Sequence, residues 1–369
     1  MKSMNHKFIF ITILCVSIML GCSTEETSTL KLDSKKLKTT IITPHMKQEI
    51  KEGENIIFCS TFQLAWNEMK DSIIKADIKL QDEPPVVGYL NNGLSTKSDI
   101  SDEDYVAIGG FAKDNIIEKI NSTLAIKFNN EAPLVSETFN NPDDIFIYSF
   151  LYKNLKFGKE FESLKTPLAF NSQGNLSNVK AFGINEYSKK KHIEMGQQVE
   201  VLYYERRGYD SINLIIKLKP ESLKDEIILA KIQPENTLLE TIEKTTKMIS
   251  SSIINKNSLQ DEDELKIPKL NFDITHSYIQ LLHKLFLNKG FELHNIKNAQ
   301  QDIYFKLDEK GAILKSASIL SGFFNKLSNG RSLVFNEPFL IYLKEQGANY
   351  PYFAIWVDNP ELMIADKKR

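Results

Sequence analysis

Cysteine is scarce in this chain of 369 residues: only three are present, Cys15, Cys22 and Cys59. Small exported domains that depend on disulfides carry many more, so a disulfide framework is excluded as the basis of the fold. Cys59 ends the apolar stretch Ile56–Cys59 and is interpreted as a small, buried hydrophobic side chain. A hydrophobic core must therefore stabilise the fold.

An excess of charge of one sign is also lacking. The chain has 46 Lys and Arg against 48 Asp and Glu, a formal net charge of −2. Without a long basic run, nucleic acid is excluded as an expected partner. A content of 42% hydrophobic and 25% charged residues is typical of a globular protein rather than a disordered chain or a membrane bundle.

The common motifs of catalysis and cofactor binding are missing: G-x-S-x-G, H-E-x-x-H, G-x-G-x-x-G, the P-loop and C-x-x-C. Ser72 and Lys75 match S-x-x-K, but they lie inside a predicted helix without a K-T-G partner. His276 and His283 are spaced to share one face of a helix, but they lack a third zinc ligand. The acidic run 261–264 lacks the spacing of a calcium loop. We therefore expect no enzyme activity, metal or cofactor.

The chain has one hydrophobic run of note, Phe8–Leu20, whose thirteen residues are fewer than the roughly 20 that span a bilayer as a helix. It follows Lys2 and Lys7 and is typical of a signal sequence. The next residues complete Met19–Cys22, which resembles the lipobox of bacterial lipoproteins, with Met19 where leucine is usual. This resemblance implies a signal peptide at 1–21 and a diacylglyceryl group on the thiol of Cys22.

Acyl chains on Cys22 would anchor the protein without a membrane-spanning helix. Ser23 resembles a sorting residue for the outer membrane, and Glu25 and Glu26 resemble an export tag for the cell surface. Residues 22–40 are polar and predict a tether, followed by one domain over 41–369. We therefore expect an exported lipoprotein at the outer membrane or cell surface.

Helical and strand patterns follow one another in irregular order, which predicts an α+β fold. A helix is predicted from Phe62, Trp66, Met69 and Ile73, after an apparent capping box at Ser60–Gln63. The other predicted helices cover 235–250 and 278–287, and the predicted strands cover 200–204, 211–218, 266–273, 302–307, 339–343 and 352–357. The last two strands predict a buried C-terminal hairpin.

Four motifs in the last hundred residues follow one another at a recognisable spacing: Ile267–Leu270, Asp302–Gly311, Phe335–Ile341 and Val357–Pro360. In this order they resemble the C-terminal half of a serpin. Weaker similarities at Glu54–Phe58 and at Tyr152 and Lys153 extend the resemblance to about residues 50–365. The stretch between Phe58 and Tyr152 is shorter than in the family, so we expect reduced peripheral helices.

The resemblance implies a serpin-like domain with a large mixed sheet and an exposed reactive loop. The implied hinge of this loop is Glu309, Lys310, Gly311, Ala312, Ile313 and Leu314. The implied reactive bond lies near Phe324, Asn325 and Lys326. Cleavage after Lys326 would indicate a trypsin-like target protease, and cleavage after Phe324 a chymotrypsin-like one.

The resemblance also implies which residues of this sequence stand in two regions that control sheet opening in serpins, the breach and the shutter. Phe157 stands where the family has the tryptophan of the breach, the region at the top of the large sheet. Cys59 stands at the serine and Gln301 at the histidine of the shutter, the region where the large sheet parts. These three departures affect the residues that control opening of the sheet.

The resemblance implies a monomeric inhibitor of a serine or cysteine protease that acts as a suicide substrate. Once cut, the loop inserts into the main sheet as a new strand and carries the acylated protease with it. Ala312 and the following alternate residues would form one face of that strand, in which Leu314 is bulkier than the family prefers. The alternative is a non-inhibitory serpin-like binding lipoprotein at the cell surface.

Lipidation at Cys22 can be tested directly. We expect Cys22→Ala to move the exported protein from the detergent phase to the aqueous phase, because alanine has no thiol to acylate. Phase partitioning in a clouding non-ionic detergent measures this shift. Cys15→Ala is the matched control, since Cys15 would be removed with the leader. Detergent partitioning of the Cys22→Ala variant would contradict the prediction.

Overall fold

A computed structural model describes residues 32–129, 132, 134–184, 189–207, 211–252, 258–313 and 330–366. Its helices are α1 Thr61–Glu68, α2 Pro85–Asn91, α3 Ile116–Phe128, α4 Lys189–Gly196 and α5 Leu238–Ser251. Its strands are β1 Leu32–Asp33, β2 Thr40–Thr43, β3 Asn55–Cys59, β4 Tyr105–Phe111, β5 Ile145–Leu151, β6 Asn154–Lys156, β7 Glu162–Ser163, β8 Leu168–Ser172, β9 Asn175–Val179, β10 Ala181–Ile184, β11 Val199–Arg207, β12 Ser211–Leu218, β13 Asp225–Lys231, β14 Glu264–Pro268, β15 Leu270–Ser277, β16 Ile296–Asp308, β17 Gly311–Ile313, β18 Ser332–Val334, β19 Phe339–Glu345 and β20 Phe353–Val357.

Most strands form three sheets. Sheet 1 is mixed and begins with the order β1-β15-β16. The lower half of β16 pairs with β5, which pairs in turn with β4, and the upper end of β16 pairs with β17, which pairs in turn with β6. Sheet 2 has the order β11-β12-β13-β19-β20-β3-β2. Sheet 3 has the order β18-β14-β10-β7. The α+β fold with a large mixed sheet is therefore confirmed.

The alternating sequence patterns correspond to hairpins of sheet 2. β11 pairs with β12 in antiparallel fashion, as predicted. β19 and β20 form the predicted C-terminal hairpin, in which Phe339 pairs with Val357 and Leu343 with Phe353. Gly347 in the connection has a φ of 81°, a conformation that a side chain disfavours. All five residues of β20 are buried, which agrees with its uninterrupted apolar sequence.

The main core lies between sheets 1 and 2. There the rings of Phe305 in β16 and Phe353 in β20 lie 4.8 Å apart. α5 covers part of the outer face of sheet 2 with Leu238 and Ile242, and a capping box between Thr237 and Glu240 fixes its start. No helix among the described residues is long and apolar enough to cross a membrane.

The helix predicted at 278–287 is wrong. Only Ile279–Leu281 makes a 3₁₀ turn. The backbone N–H groups of Tyr278, His283 and Phe286 donate instead to carbonyls of the chain from 294 to 299, at 2.8–3.0 Å. Tertiary pairing with the start of β16 overrides the helical periodicity, and Leu287 is consequently exposed.

Two other details also differ from the sequence expectation. Ser60 precedes α1 but makes no capping hydrogen bond, and Gln63 donates to the Leu90 carbonyl at 2.6 Å instead of completing a capping box. The predicted tether over 22–40 is too long at its C-terminal end. β1 pairs with β15, and Leu37 packs against the main core, so this part of the chain belongs to the folded body.

Asn55 links two of the sequence motifs at the end of sheet 2. Its Oδ1 atom accepts hydrogen bonds from the backbone N–H groups of Asp358 at 2.8 Å and Asn359 at 3.0 Å. Its Nδ2 atom donates to Asn359 Oδ1 at 2.9 Å and to Thr40 Oγ1 at 3.2 Å. Asn55 is fully buried, so this one side chain satisfies polar groups that water cannot reach.

We expect Asn55→Ala to lower the free energy of unfolding by about 3 kcal/mol, because it leaves buried N–H groups of Asp358 and Asn359 without an acceptor. Denaturant unfolding measures the change. Thr40→Ser keeps a hydroxyl and is the matched control, with little expected effect. A loss below about 1 kcal/mol for Asn55→Ala would contradict this account.

Candidate functional site

The implied hinge residues form the tight turn between β16 and β17. Asp308 pairs with Gly311, and the Lys310 N–H donates to Asp308 Oδ1 at 3.0 Å. Gly311 has a φ of 140°, and a Cβ atom there would lie 2.2 Å from the Leu155 carbonyl oxygen. Glycine is therefore required at this position. Leu314 lies outside the described residues.

The turn is fastened to the body by the segment after β6. The N–H of Phe157 donates to the Lys310 carbonyl at 2.9 Å, and the N–H of Phe161 donates to the Glu309 carbonyl at 2.8 Å. The rings of Phe157 and Phe161 pack edge to face at 4.8 Å. The structure thus brings Phe157, which the resemblance implies to be the breach residue, into contact with the implied hinge.

A buried ion pair holds the same turn. The Nζ atom of Lys269, between sheets 3 and 1, lies 2.5 Å from the Glu309 carboxylate and donates to Ser163 Oγ at 2.8 Å. Both Lys269 and Glu309 are buried. Removing one partner would leave a buried charge uncompensated, so the pair opposes release of the turn.

β17 already lies as a short strand within sheet 1. It runs antiparallel to both neighbours, with Ala312 opposite Leu307 of β16 and opposite Leu155 of β6. The Ala312 side chain is buried and faces the core. At the upper end of sheet 1, β16 and β6 are therefore separated by β17, which consists of three residues of the implied hinge.

Below β17 the sheet is closed. β5 and β16 pair directly in parallel up to Phe150 opposite Asp302. A cavity of about 10 Å³ lies where the two arrangements meet, near the lower size limit for one water molecule. Its lining includes Leu151, Lys153, Ile303, Phe305 and Ala312.

The closed part of sheet 1 contains the implied shutter residues, and the structure brings them together. Gln301 of β16 donates from Nε2 to the Cys59 carbonyl at 3.2 Å and to Thr61 Oγ1 at 2.9 Å. Its Oε1 atom accepts a 2.7 Å hydrogen bond from the Tyr278 hydroxyl. On the β5 side Gln301 is paired with Ser149.

Cys59 has no feature of a reactive cysteine. Burial raises the pKa of its thiol to about 11, against the opposing effect of a hydrogen bond with Thr61 at 3.3 Å. The thiol is therefore protonated at neutral pH, and a protonated thiol is a poor nucleophile. Its small volume and polar contact fit a packing role at the start of α1.

The far end of the predicted loop is anchored separately. Arg331, just before β18, donates from Nη2 to Asp263 Oδ2 at 2.6 Å, and its backbone N–H donates to Asp263 Oδ1 at 2.7 Å. Asp263 is buried, so the acidic run 261–264 contributes a structural ion pair. Phe324, Asn325 and Lys326 lie outside the described residues, as does Cys22.

The candidate metal pair is not assembled. His276 lies in β15, whereas His283 lies in a turn with a φ of 61°. Within the part of the chain that the structure describes, no group of three or more His, Cys, Asp or Glu side chains is placed to hold a metal ion. His276 instead shares a 2.8 Å hydrogen bond with Ser34 Oγ and pairs in register with Gln301.

Sequence reasoning missed Lys269 and Lys153 as parts of this site. Lys269 stands between the apolar residues Pro268 and Leu270 of the motif Ile267–Leu270, and a lysine with apolar neighbours on both sides is a signal for a buried partner. Lys153 directly follows the apolar strand β5, but nothing in the local sequence identifies its partners, which lie on other elements.

No protein-family model and no curated protein matches the sequence. Solved structures that resemble the chain include human thyroxine-binding globulin complexed with its hormone, at 12% identity over 83% of this chain and 92% of that one, with a TM-score of 0.49. Human kallistatin matches at 14% identity over 83% and 92%, with a TM-score of 0.48. A serpin from Schistosoma mansoni matches at 13% identity over 67% and 65%, with a TM-score of 0.40.

At these identities the matches concern fold alone. The large mixed sheet, the buried C-terminal hairpin and the tight turn at the end of β16 are seen in the chain itself. The α+β architecture predicted from the sequence is confirmed, and membership of the serpin family stays a prediction.

Acid should weaken the region around His276. Burial lowers the pKa of His276 from its ordinary value of 6.5 to about 4, and Asp33 offsets this shift only partly. Between these two values the unfolded chain binds more protons, so the free energy of unfolding falls as the pH falls. We expect His276 to account for a loss of about 2 kcal/mol between pH 6.5 and about pH 4.5.

Denaturant unfolding at several pH values measures this slope. His276→Asn keeps a polar partner for Ser34 and does not titrate in this range. We expect the fall in its free energy of unfolding between pH 6.5 and about pH 4.5 to be smaller by about 2 kcal/mol. Burial and Lys47 also lower the pKa of His45 to about 4, and its contribution is the same in both proteins. Identical pH slopes for the two proteins would contradict the assignment to His276.

Proposed function

We propose that this protein is a serpin-type inhibitor of a serine or cysteine protease, which traps its target when a cleaved loop inserts into sheet 1. One observation carries the proposal: β17 lies between β6 and β16, while β5 and β16 remain paired directly below it. This place and direction are those that the first residues of an inserting strand would need.

Continued insertion follows from the register. β17 is antiparallel to both neighbours, so the same register would place Ser316 opposite Leu151 and Ile303. Ser316 has the same parity as the buried Ala312 and would face the core, whereas Ala317 would face outward. Each inserted residue would form backbone hydrogen bonds with β16 on one side and with the chain of β5 and β6 on the other. Where β5 and β16 are now paired, these bonds would replace that pairing, and elsewhere they would be new.

Insertion would supply the free energy for trapping. The protease forms an acyl bond at the loop, and movement of the loop into sheet 1 carries the acylated protease away before hydrolysis. The uncut protein is then a kinetically trapped state that stores the energy of the missing strand. In this mechanism the protease supplies the catalytic groups, and the buried, protonated Cys59 thiol is consistent with an inhibitor that supplies none.

We also propose that residues 1–21 direct export and that acylated Cys22 anchors the inhibitor at the outer membrane or cell surface. The support for this proposal is the sequence Met19–Cys22 after the apolar run Phe8–Leu20. An inhibitor held there would meet extracellular proteases.

Cleavage within Phe324–Lys326 tests insertion. We expect the melting temperature of the nicked protein to rise by roughly tens of degrees, because insertion completes sheet 1. Ser316→Arg should abolish the rise, since an inward arginine cannot be buried without a partner. Ala317→Arg is the matched control and should behave like the unsubstituted protein. Calorimetry measures all three proteins before and after cleavage.

An unchanged melting temperature in the nicked, unsubstituted protein would reject the trapping mechanism. A non-inhibitory serpin-like binding lipoprotein would then be the better description. A gain in stability would lead to the second measurement, a covalent complex with a trypsin-like or chymotrypsin-like protease that survives denaturing electrophoresis.

A further inference from the structure

A buried lysine lies at the point where sheet 1 changes from parted to closed. Lys153 connects β5 to β6 and lines the cavity beneath Ala312. Three carboxylates contact its Nζ atom: Asp104 at 2.7 Å, Asp225 at 3.0 Å and Glu345 at 2.8 Å. The Lys153 side chain is only 5% exposed, so these contacts are well shielded from water.

The three contacts differ in what they connect. Asp104 directly precedes β4, and its carbonyl accepts a 2.9 Å hydrogen bond from the Tyr152 N–H, so it moves with the edge of sheet 1 that carries Lys153. Asp225 begins β13 and Glu345 ends β19, both in sheet 2. Two of the three contacts therefore join the two sheets, and one stays within the β4–β5 unit.

The carboxylates of sheet 2 are held in place by further bonds. Glu345 accepts hydrogen bonds from the N–H and the hydroxyl of Ser101, both at 2.9 Å. Asp225 accepts a 3.0 Å hydrogen bond from the Tyr352 hydroxyl. Burial alone would lower the pKa of Lys153, but the hydrogen bonds to Asp104 and Glu345 outweigh burial and raise it to about 12. The lysine is therefore charged at any physiological pH.

This arrangement opposes parting of sheet 1. For β5 to leave β16, the β4–β5 unit must shift over sheet 2, and the contacts of Lys153 with Asp225 and Glu345 must stretch or break. We propose that Lys153, Asp225 and Glu345 form a lock between the sheets that keeps β5 paired with β16 below β17. Lys153 is thus a positioning residue for loop insertion, and this inference rests on the proposed function.

The full-length protein offers a matched pair of variants. Glu345→Gln and Asp104→Asn each remove one carboxylate charge from Lys153 and keep the side-chain shape, but only Glu345 joins the two sheets. We expect hydrogen exchange of the backbone amides in 145–151 and 296–302 to be about tenfold faster in Glu345→Gln. Asp104→Asn should leave the exchange rate of these amides close to the rate in the unsubstituted protein. Asp225→Asn is the second variant across the sheets and should resemble Glu345→Gln.

Exchange is measured by mass spectrometry, alongside denaturant unfolding of each variant to correct for a change in global stability. Equal exchange in the variants that cross the sheets and in Asp104→Asn would overturn the lock. Hydrogen exchange does not require loop cleavage, so the lock and the proposed function can fail separately. If exchange responds as expected but nicking gives no gain in stability, the lock stands and protease trapping is rejected.

If nicking does stabilise the protein, the rate of insertion supplies a second readout. We expect the nicked Glu345→Gln protein to reach its stable form several-fold faster than nicked Asp104→Asn, because one contact that must break is already weakened. Equal rates of insertion would also contradict the lock.

Discussion

One edge of a β-strand can pair with only one neighbour at each position, and in this protein the inner edge of β16 has two. Over its lower part β16 pairs with β5, and at its upper end it pairs with β17. The change occurs near Ile303–Phe305, beside the small cavity. Any lengthening of β17 must displace β5 from β16. The relative free energy of these two pairings therefore decides how far sheet 1 opens.

Polar groups along this seam determine how firmly each arrangement is held. At the upper end, the Lys269–Glu309 ion pair and the N–H groups of Phe157 and Phe161 fix the turn before β17. Lower down, Gln301 joins β16 to the start of α1. These groups are buried, where an unmade hydrogen bond costs more than at the surface. The two pairings are therefore discrete alternatives, since partial opening would leave such groups unsatisfied.

Much of the fold could be predicted from local sequence because the relevant signal is short-range. Alternating apolar residues identified the β11–β12 hairpin, and the unbroken apolar strands 339–343 and 352–357 identified the buried C-terminal hairpin. The motif 302–311 contains the end of β16 and the turn that follows it. Where local and tertiary preferences disagree, prediction failed: residues 278–287 have a helical period, but they bond to the chain that leads into β16.

The sequence by itself determined the α+β class, the C-terminal hairpin and the place of the turn that ends β16, because each depends on residues close together in the chain. Tertiary structure alone decided which distant side chains meet. Asn55 contacts Asn359, 304 positions away, and Lys153 gathers carboxylates from three separate elements. Such contacts depend on the packing of sheet 1 against sheet 2, and no local pattern encodes which buried charge will face which partner.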